Sequence, residues 1–267
     1  MRDRYSLIGN PVEHSKSPLI HARFALQTGE NVEYGALLAP LDAFAGTVHA
    51  YLASGAKGAN VTLPFKGEAC DLSTQRSERA NAAGAVNTLI FRGTQIHGDN
   101  TDGCGLTRDL ATNLGFRIAG RRVLLLGAGG AARGVLQPLL EERPATLVIA
   151  NRDVEKARVL ARRFSGVAAS AYADLAGERF DLVINATSAG LTHAPLPLPS
   201  RLYAQGSLAY EMMYGRETDF MRQARGDGAA AQADGLGMLV EQAAESFFLW
   251  RGVRPETAPV LAALRAT

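Results

Sequence analysis

RRVLLLGAGGAARGVLQPLLEE, residues 121–142, is the stretch that decides the fold. It reads as a buried apolar strand, a glycine turn and a helix in direct succession. At the turn, GAGGAA (residues 127–132) fits the pattern Gly-x-Gly-x-x-Ala. Glycines in such a turn let the backbone approach a pyrophosphate, and the following helix N-terminus supplies N–H groups and the positive end of a dipole. The stretch therefore predicts a dinucleotide site rather than a purely structural turn.

The segments that follow extend this unit. ATLVIANR (145–152), FDLVINATSAG (180–190) and SLAYEMMY (207–214) read as strands, and DVEKARVLARRF (153–164) reads as a helix. Apolar runs this continuous are typical of a parallel sheet that is covered on both faces. The sequence predicts an α/β chain with a doubly wound, Rossmann-type domain.

The end of the second of these strands bears on the choice of dinucleotide. NAD sites usually place an acidic residue there to hold the ribose 2′-hydroxyl, but this chain has Asn151 and Arg152. An arginine offers its charge and planar fork to a 2′-phosphate, and Lys156 lies one helical turn further on. Asp153 argues the other way, although it stands where a helix N-cap belongs. The pattern favours NADP.

Strands and helices also alternate in the first hundred residues. The helix that starts at SKSP is predicted to have Ser17 as its N-cap and Pro18 as its first residue, and to end at Gly29. Further helices are predicted over 40–55, 103–115, Leu236–Arg251 and Glu256–Arg265. The predicted strands are Tyr5–Gly9, Val32–Leu38, Gly58–Leu63, Ala85–Phe91 and Thr94–His97.

NVTLPFK (60–66) raises a question of its own. Pro64 stops the strand because it has no N–H to donate, and a lysine follows directly behind the break. One interpretation is a strand end, a turn and a solvated lysine. The other is that the strand delivers polar groups to a cleft, where Lys66 takes part in chemistry.

Three further motifs carry polar side chains. HSKSP (14–18) puts two hydroxyls at a helix N-terminus, which suits a carboxylate, although an ordinary N-cap explains half of the pattern. GAVNT (84–88) places Asn87 at a strand start. GDNTDG (98–103) gathers acidic and amide groups between glycines, and its structural alternative is an Asx turn.

Composition limits the classes of protein. The chain has 267 residues, 47% hydrophobic and 20% charged, and a net charge of +2, which argues against nucleic-acid and membrane-surface partners. Two cysteines without a metal or redox spacing predict neither a disulfide framework nor a metal site. The N-terminus lacks the apolar core of a signal peptide, and apolar runs stay shorter than a membrane span, so we expect a cytoplasmic protein.

The ordered motifs SKSP, NVTLPFK, GAVNT, GDNTDG, GAGGAAR, NATSAG, YEMMYG and DGLGMLVEQA resemble the shikimate dehydrogenase family, NADP-dependent enzymes of aromatic amino-acid biosynthesis. The resemblance covers almost the whole chain. It implies a substrate-binding and catalytic domain over residues 1–103, completed by helices in 236–267, and a Rossmann NADP-binding domain over 104–235. It also implies reversible, NADPH-dependent reduction of 3-dehydroshikimate to shikimate.

Residue roles follow from the same resemblance. Lys66 and Asp102 would form the catalytic pair. The substrate would contact Ser15, Ser17, Thr62, Asn87, Asp102, Tyr214 and Gln242. The cofactor would contact Glu78, Gly127, Ala128, Gly129, Gly130, Ala131, Asn151, Arg152, Lys156, Thr187, Met212 and Gly235. Glu211 stands where the family usually has Asp, which we interpret as a conservative change.

Two alternatives and one question stay open. A quinate/shikimate dehydrogenase that uses NAD is favoured by Asp153 and disfavoured by Ser17 and Arg152. A nucleotide sensor that has lost catalysis would have no use for the Lys66–Asp102 pair. The sequence leaves open whether the protein is a monomer or a homodimer, and which member of the pair is the immediate proton donor.

Overall fold

The computed structural model describes residues 2–192 and 195–266. The chain divides into two compact units, each of which is described by itself. One unit consists of Met1–Gly105 and Leu239–Thr267, and the other of Leu106–Met238. The chain therefore leaves the first unit and returns to it near its C-terminus.

Within the described residues, the first unit contains a six-stranded sheet in the order β2-β1-β3-β5-β6-β4. Its strands are β1 Asp3–Gly9, β2 Val32–Leu38, β3 Gly58–Val61, β4 Gln75–Arg76, β5 Thr88–Arg92 and β6 Gln95–Asp99. The strand β5 is antiparallel to both of its neighbours, and the other pairs are parallel. Consequently β1, β3 and β6 all end at the edge of the sheet where β5 begins.

Helices cover this sheet. They are α1 Ser17–Thr28, α2 Phe44–Ala53, α3 Lys66–Leu72, α4 Glu78–Ala83 and α11 Ala258–Arg265, and α5 Asp102–Arg108 and α10 Leu236–Arg251 cross the boundaries of the unit. One buried cluster packs Ile8, Val48 and Leu89 around the stacked rings of Phe44 and Phe65, whose centroids are 4.7 Å apart. The cluster fixes α3, and with it the position of Lys66, against the sheet.

The second unit has a parallel sheet whose strands, as far as the structure describes them, follow the order β12-β11-β10-β7-β8-β9. The strands are β7 Arg122–Leu126, β8 Thr146–Ala150, β9 Val167–Ser170, β10 Phe180–Asn185, β11 Tyr203–Glu211 and β12 Ala231–Asp234. The helices are a π-helical turn Asp109–Asn113, α6 Gly130–Glu141, α7 Val154–Ala161, a 3₁₀ turn Ala173–Leu175, α8 Ala189–Thr192 and α9 Asp219–Gly226. This is the doubly wound Rossmann order, which confirms the predicted fold class.

The structure corrects several predicted elements. The predicted strand Gly58–Leu63 ends earlier, at Val61, and the predicted hairpin strands lie about two residues further along the chain, as β5 and β6. The sequence analysis missed β4, β9, β12 and α9. These strands are only two to four residues long and partly exposed, so they lack the apolar run that identified the others.

Gly58 in β3 provides a test of this packing. A β-carbon there would lie 2.5 Å from the Leu89 carbonyl oxygen and 2.6 Å from Trp250 Nε1, two atoms that hydrogen-bond to each other at 3.0 Å. We expect Gly58→Ala to lower the free energy of unfolding by about 1–3 kcal/mol, since neither backbone nor indole can move away cheaply. The urea midpoint measures the loss.

Gly46 in α2 supplies the matched control. A β-carbon there meets no heavy atom of the described residues within 4 Å. Gly46→Ala should therefore stabilise the protein by about 0.5–1 kcal/mol, the usual gain at an exposed helix interior. Equal effects of the two substitutions would contradict the packing described for β3.

Candidate active site

The polar residues predicted from the N-terminal motifs meet at one edge of the first sheet. Ser15 and Ser17 follow β1, Lys66 follows β3, Asn87 precedes the antiparallel β5, and Asp102 follows β6. Strand direction places the segments that carry these five residues at the same edge. The break at Pro64 in NVTLPFK thus lies where the sheet ends and the site begins.

Lys66 and Asp102 form an ion pair at this edge. Lys66 Nζ lies 2.6 Å from Asp102 Oδ2, and the two side chains are 24% and 9% exposed. The other carboxylate oxygen, Oδ1, accepts a hydrogen bond from Asn87 Nδ2 at 2.8 Å. Both oxygens of Asp102 therefore lie within hydrogen-bond distance of a nitrogen donor.

The orientation of the Asn87 amide is fixed by the main chain. Its Oδ1 accepts the Thr101 backbone N–H at 2.9 Å and the Thr88 hydroxyl at 2.8 Å. Its Nδ2 consequently faces Asp102 and, at 3.4 Å, Gln242 Oε1. Gln242 Oε1 also accepts the Thr101 hydroxyl at 3.3 Å, so α10 contributes directly to the site.

A buried polar network lies beneath this group, and the sequence analysis did not identify it. Asn60 Nδ2 donates to Ser246 Oγ at 3.0 Å and to Thr88 Oγ1 at 3.2 Å, while its Oδ1 accepts the Tyr34 hydroxyl at 2.8 Å. The Thr101 hydroxyl lies 3.2 Å from Ser246 Oγ. An Asn in a strand that is buried throughout was the available signal, because a buried amide needs partners.

Arg79 was also missed. It donates from Nε and Nη2 to the two oxygens of Asp99, at 2.7 and 3.0 Å, and from Nη2 to Glu245 at 3.1 Å. Asp99 Oδ1 also accepts the N–H of Asn100 at 2.6 Å. The loop GDNTDG is thus held by an ion pair as well as by its own turn, and Arg79 anchors the segment that carries Asp102.

The two serines of HSKSP exchange the roles that the sequence predicted. The N-cap is Lys16, with helical dihedral angles and no side-chain cap, and Ser17 is the first residue of α1, so the prediction of Ser17 as N-cap was wrong. Instead, Ser15 Oγ accepts the Ser17 N–H at 3.2 Å and donates to Ser17 Oγ at 3.1 Å. Ser15 therefore satisfies the first free N–H of the helix.

His21 lies one helical turn after Ser17 and adds no charge to this end of the helix. It is completely buried, and its ring stacks on Tyr34 with centroids 4.0 Å apart. Burial lowers the pKa of His21 to about 3, so the imidazole is neutral at physiological pH. An anion at the N-terminus of α1 would therefore interact with the hydroxyls of Ser15 and Ser17 and with backbone N–H groups, not with a histidine cation.

The glycine-rich loop in the second unit joins β7 to α6. Gly127 has a φ of 108°, which favours glycine, and Gly129 is the N-cap of α6 without a side-chain cap. A β-carbon on Gly129 would meet no heavy atom of the described chain within 4 Å. The predicted residues Ala128, Gly130 and Ala131 lie in the same turn, whose helix N-terminus is open to an anion.

The predicted 2′-phosphate residues follow β8. Asn151 Nδ2 donates to the Asp153 carbonyl at 2.8 Å, and Arg152 is exposed. Asp153 Oδ1 accepts the Glu155 N–H at 3.2 Å, which confirms the predicted N-cap of α7. Lys156 Nζ lies 3.9 Å from Asp153 Oδ2 at an exposed position. Asp153, the residue that favoured NAD in the sequence analysis, thus caps the helix that it begins.

Three residues predicted for the nicotinamide side stand at the carboxyl ends of neighbouring strands. Thr187 follows β10, Met212 follows β11 and Gly235 follows β12. A β-carbon on Gly235 would lie 2.1 Å from the Met212 carbonyl oxygen, so only glycine fits this approach of two chains. The parallel sheet therefore brings this set to the edge that carries the glycine-rich loop.

Three further predicted residues lie on separate elements of the fold. Thr62 follows β3, and its backbone N–H donates to the Ile8 carbonyl at 3.0 Å. Glu78 is exposed at the start of α4 in the first unit, and Tyr214 follows β11 in the second. Their roles stay predictions.

Neither a metal cluster nor a membrane helix is found in the part of the chain that the structure describes. Among residues 2–192 and 195–266, three or more His, Cys, Asp or Glu side chains are nowhere grouped to hold a metal ion. In the same residues no helix is long and apolar enough to cross a bilayer.

Comparison with known proteins identifies the family. Three family profiles match: the shikimate dehydrogenase substrate binding domain over residues 7–89, shikimate / quinate 5-dehydrogenase over 109–193, and the shikimate 5′-dehydrogenase C-terminal domain over 235–265. The NADP(+) shikimate dehydrogenase of Methylobacillus flagellatus is 61% identical over 268 residues, with 99% of each chain covered. The chain belongs to the shikimate dehydrogenase family.

Solved structures agree with this membership. An Ael1 enzyme from Pseudomonas putida is 50% identical, with a TM-score of 0.93 and 98% of each chain covered. A shikimate 5-dehydrogenase from Thermus thermophilus, solved with NADP(H) and shikimate, is 33% identical, with a TM-score of 0.88 and 99% of each chain covered. The two-unit α/β fold is thus that of the family.

The exchanged serine roles can be tested by stability. We expect Ser15→Ala to lower the free energy of unfolding by about 1 kcal/mol, because the Ser17 N–H loses its acceptor. Ser17→Ala should have the smaller effect on the cap, since Ser15 Oγ still accepts the N–H of residue 17. Urea unfolding at neutral pH measures both variants, and the opposite order would show that Ser17 is the capping residue.

Proposed function

We propose that this protein catalyses the reversible, NADP-dependent reduction of 3-dehydroshikimate to shikimate, a step in aromatic amino-acid biosynthesis. The observation that carries the proposal is the Lys66–Asp102 pair at the edge of the first sheet. An ammonium group held by a carboxylate can stabilise the oxygen of a ketone as it gains charge, and can give that oxygen a proton. Membership of the family selects the substrate among ketones.

Lys66 is the immediate proton donor in this proposal. The contacts of Asp102 support this assignment, because Lys66 Nζ and Asn87 Nδ2 are placed to donate to its two oxygens. When bound, reduced NADP would supply the hydride to the ketone carbon, and NADP⁺ would accept it in the reverse direction. Lys66 protonates the carbonyl oxygen and recovers its proton from solvent, to which the side chain is 24% exposed.

The remaining predicted side chains would orient the substrate. We assign the carboxylate to Ser15 and Ser17, next to a helix N-terminus, and the ring hydroxyls to Thr62, Asn87, Tyr214 and Gln242. The Asn87 amide suits this role because the main chain holds its orientation before any ligand binds. Fixed donors and acceptors at a sheet edge favour one orientation of a small polyhydroxylated acid.

NADP fits the second unit for two reasons. The turn before α6 has an open helix N-terminus and a glycine at a φ of 108°, which suits a pyrophosphate near Ala128, Gly130 and Ala131. Asp153 caps α7, and we assign the two exposed cations beside it, Arg152 and Lys156, to a 2′-phosphate. We assign Asn151 to the same site, Thr187, Met212 and Gly235 to the nicotinamide, and Glu78 to the vicinity of the cofactor.

The proposal also gives each part of the chain a role. Residues 1–103 and 236–267 would bind substrate and carry out catalysis, and residues 104–235 would bind NADP. We place the protein in the cytoplasm, where reduced NADP is available. Sedimentation would decide between a monomer and a homodimer.

The two alternatives are separated by one set of assays. Shikimate and quinate, each with NADP and with NAD, give four rates. The proposal expects the highest rate with shikimate and NADP. A highest rate with quinate and NAD would establish the broader dehydrogenase, and zero rates together with NADP binding would establish a sensor.

The role of Lys66 is tested by its removal. We expect Lys66→Ala to lower kcat by about 10²- to 10⁴-fold, the usual contribution of a positioned proton donor, while NADP binding stays within twofold of wild type. Steady-state rates and calorimetric titration of NADP measure the two quantities. Lys57→Ala removes an exposed lysine from the same unit and should leave both unchanged. Near-normal turnover in Lys66→Ala would remove Lys66 from the mechanism.

Cofactor choice depends on Arg152 in this proposal. Arg152→Ala should raise KM for NADP roughly 10- to 100-fold, since a charge-assisted bond contributes about 1.5–3 kcal/mol, and should change KM for NAD little. Arg158→Ala is the matched control, because Arg158 lies on α7 and pairs with exposed Glu155 at 2.5 Å. If KM for both cofactors rises together in Arg152→Ala, Arg152 supports the fold instead.

A further inference from the structure

Glu211, the last residue of β11, is a completely buried carboxyl group in the second unit. Its Oε2 accepts hydrogen bonds from Asn185 Nδ2 at 2.7 Å and from the Thr218 hydroxyl at 2.8 Å. Its Oε1 accepts the Met213 N–H at 3.1 Å. Burial raises the pKa of Glu211, and these hydrogen bonds oppose that rise. The group has no place in the mechanism given above.

The donors around Glu211 require two acceptor oxygens. The Met213 N–H can only donate, and it faces Oε1. The Asn185 NH₂ group also only donates, and it faces Oε2. A carboxylate satisfies both donors, whereas a carboxamide has a single acceptor oxygen and would turn its own NH₂ group towards one of them. The site therefore selects a carboxylate by hydrogen bonding alone.

Asn185, which is oriented by its hydrogen bond to Glu211, in turn orients Thr187. Its Oδ1 accepts both the Thr187 backbone N–H, at 3.1 Å, and the Thr187 hydroxyl, at 2.7 Å. The Thr187 oxygen in turn accepts the Ala189 N–H at 3.3 Å. With its hydroxyl fixed in this way, Thr187 directs its methyl carbon towards Gly127, where it would lie 3.2 Å from a β-carbon on that glycine.

We propose that Glu211 is a positioning residue for cofactor binding: through Asn185 it fixes the rotamer of Thr187 beside the glycine-rich loop, and so shapes the part of the site that receives the nicotinamide. The proposal rests on the assignment of NADP to this unit. Glu211 itself is buried and does not touch the cofactor. Thr187 follows β10, beside the strands that carry Met212 and Gly235, so we expect the effect at the nicotinamide end and not at the adenosine end, which we assign to Arg152.

The test uses Glu211→Gln in the full chain and two probes. One is NADP⁺, and the other is 2′-phosphoadenosine diphosphoribose, which is NADP⁺ without the nicotinamide. We expect Glu211→Gln to weaken NADP⁺ roughly tenfold, because a buried donor is left without an acceptor and Thr187 loses its fixed position. The nicotinamide-free probe should bind within twofold of wild type. Isothermal titration measures both affinities.

Leu139→Ala is the matched control for loss of stability. Leu139 is completely buried in the core of the same unit, on α6, and its truncation destabilises the protein while the hydrogen bonds of Asn185 to Glu211 and Thr187 keep both partners. It should leave the ratio of the two affinities unchanged. Equal losses of both probes in Glu211→Gln, or an unchanged NADP⁺ affinity, would overturn the positioning role.

Two further results keep the test decisive. If Glu211→Gln does not fold, Asn185→Ser replaces it, because serine is too short to link Glu211 to the N–H and hydroxyl of Thr187; a loss confined to NADP⁺ supports the proposal, and no loss overturns it. If wild type binds neither probe, the assignment of NADP fails. That outcome is distinct from wild-type binding of both probes with no effect of the substitutions, which overturns the role of Glu211 alone.

Discussion

The hydrogen bond from the Thr101 backbone N–H to Asn87 Oδ1 is the interaction on which the chemistry of the first unit depends. A backbone N–H can only donate, so the oxygen of the Asn87 amide must face it and the NH₂ group must face Asp102. One oxygen of Asp102 is thereby engaged, and the other receives the Lys66 ammonium group. A main-chain group thus fixes which oxygen of Asp102 is contacted by Asn87 and which by Lys66.

The second unit contains the same arrangement with a different outcome. Asn185 Oδ1 accepts the Thr187 N–H, and Asn185 Nδ2 donates to Glu211. The remaining oxygen of Glu211 faces the Met213 backbone N–H, whereas that of Asp102 faces a partly exposed ammonium group. A lysine can give up its proton to a substrate and a peptide N–H cannot. In the roles that we propose, a similar arrangement of donors and acceptors therefore holds a reactive pair in the first unit and a supporting side chain in the second.

The sequence predicted the parts of the fold that long apolar runs encode. The stretch 121–142 identified the Rossmann unit, because β7 and α6 are both apolar and the glycines between them are typical of the tight turn that joins strand to helix in a dinucleotide-binding unit. Short strands such as Ala231–Asp234 could not be predicted from their own residues. They are extended because they pair with a neighbouring strand, here β11. The cap of α1 was misassigned for a local reason: SKS offers two hydroxyls, and only the helical dihedral angles of Lys16 decide which of them lies outside the helix.

The candidate site also has a part that the sequence predicted and a part that it could not predict. One interpretation of NVTLPFK predicted that its strand delivers polar groups to a cleft, and the resemblance to a family, rather than any spacing, paired Lys66 with Asp102. The network below them could not be predicted because Asn60 and Ser246 are 186 residues apart, and their contact at 3.0 Å exists only after α10 has returned to the sheet.

That return has a physical reason. Asn60 is buried in β3, and burying an amide costs free energy unless its hydrogen bonds are made. Ser246 supplies one acceptor, and Gln242, one helical turn earlier on α10, accepts from Asn87 and Thr101. Without α10, the amide of Asn60 and the hydroxyl of Thr101 would each lose a partner beneath the site. A partly satisfied buried network is less favourable than an apolar one, so Asn60, the first residue of NVTLPFK, ties α10 to the candidate site.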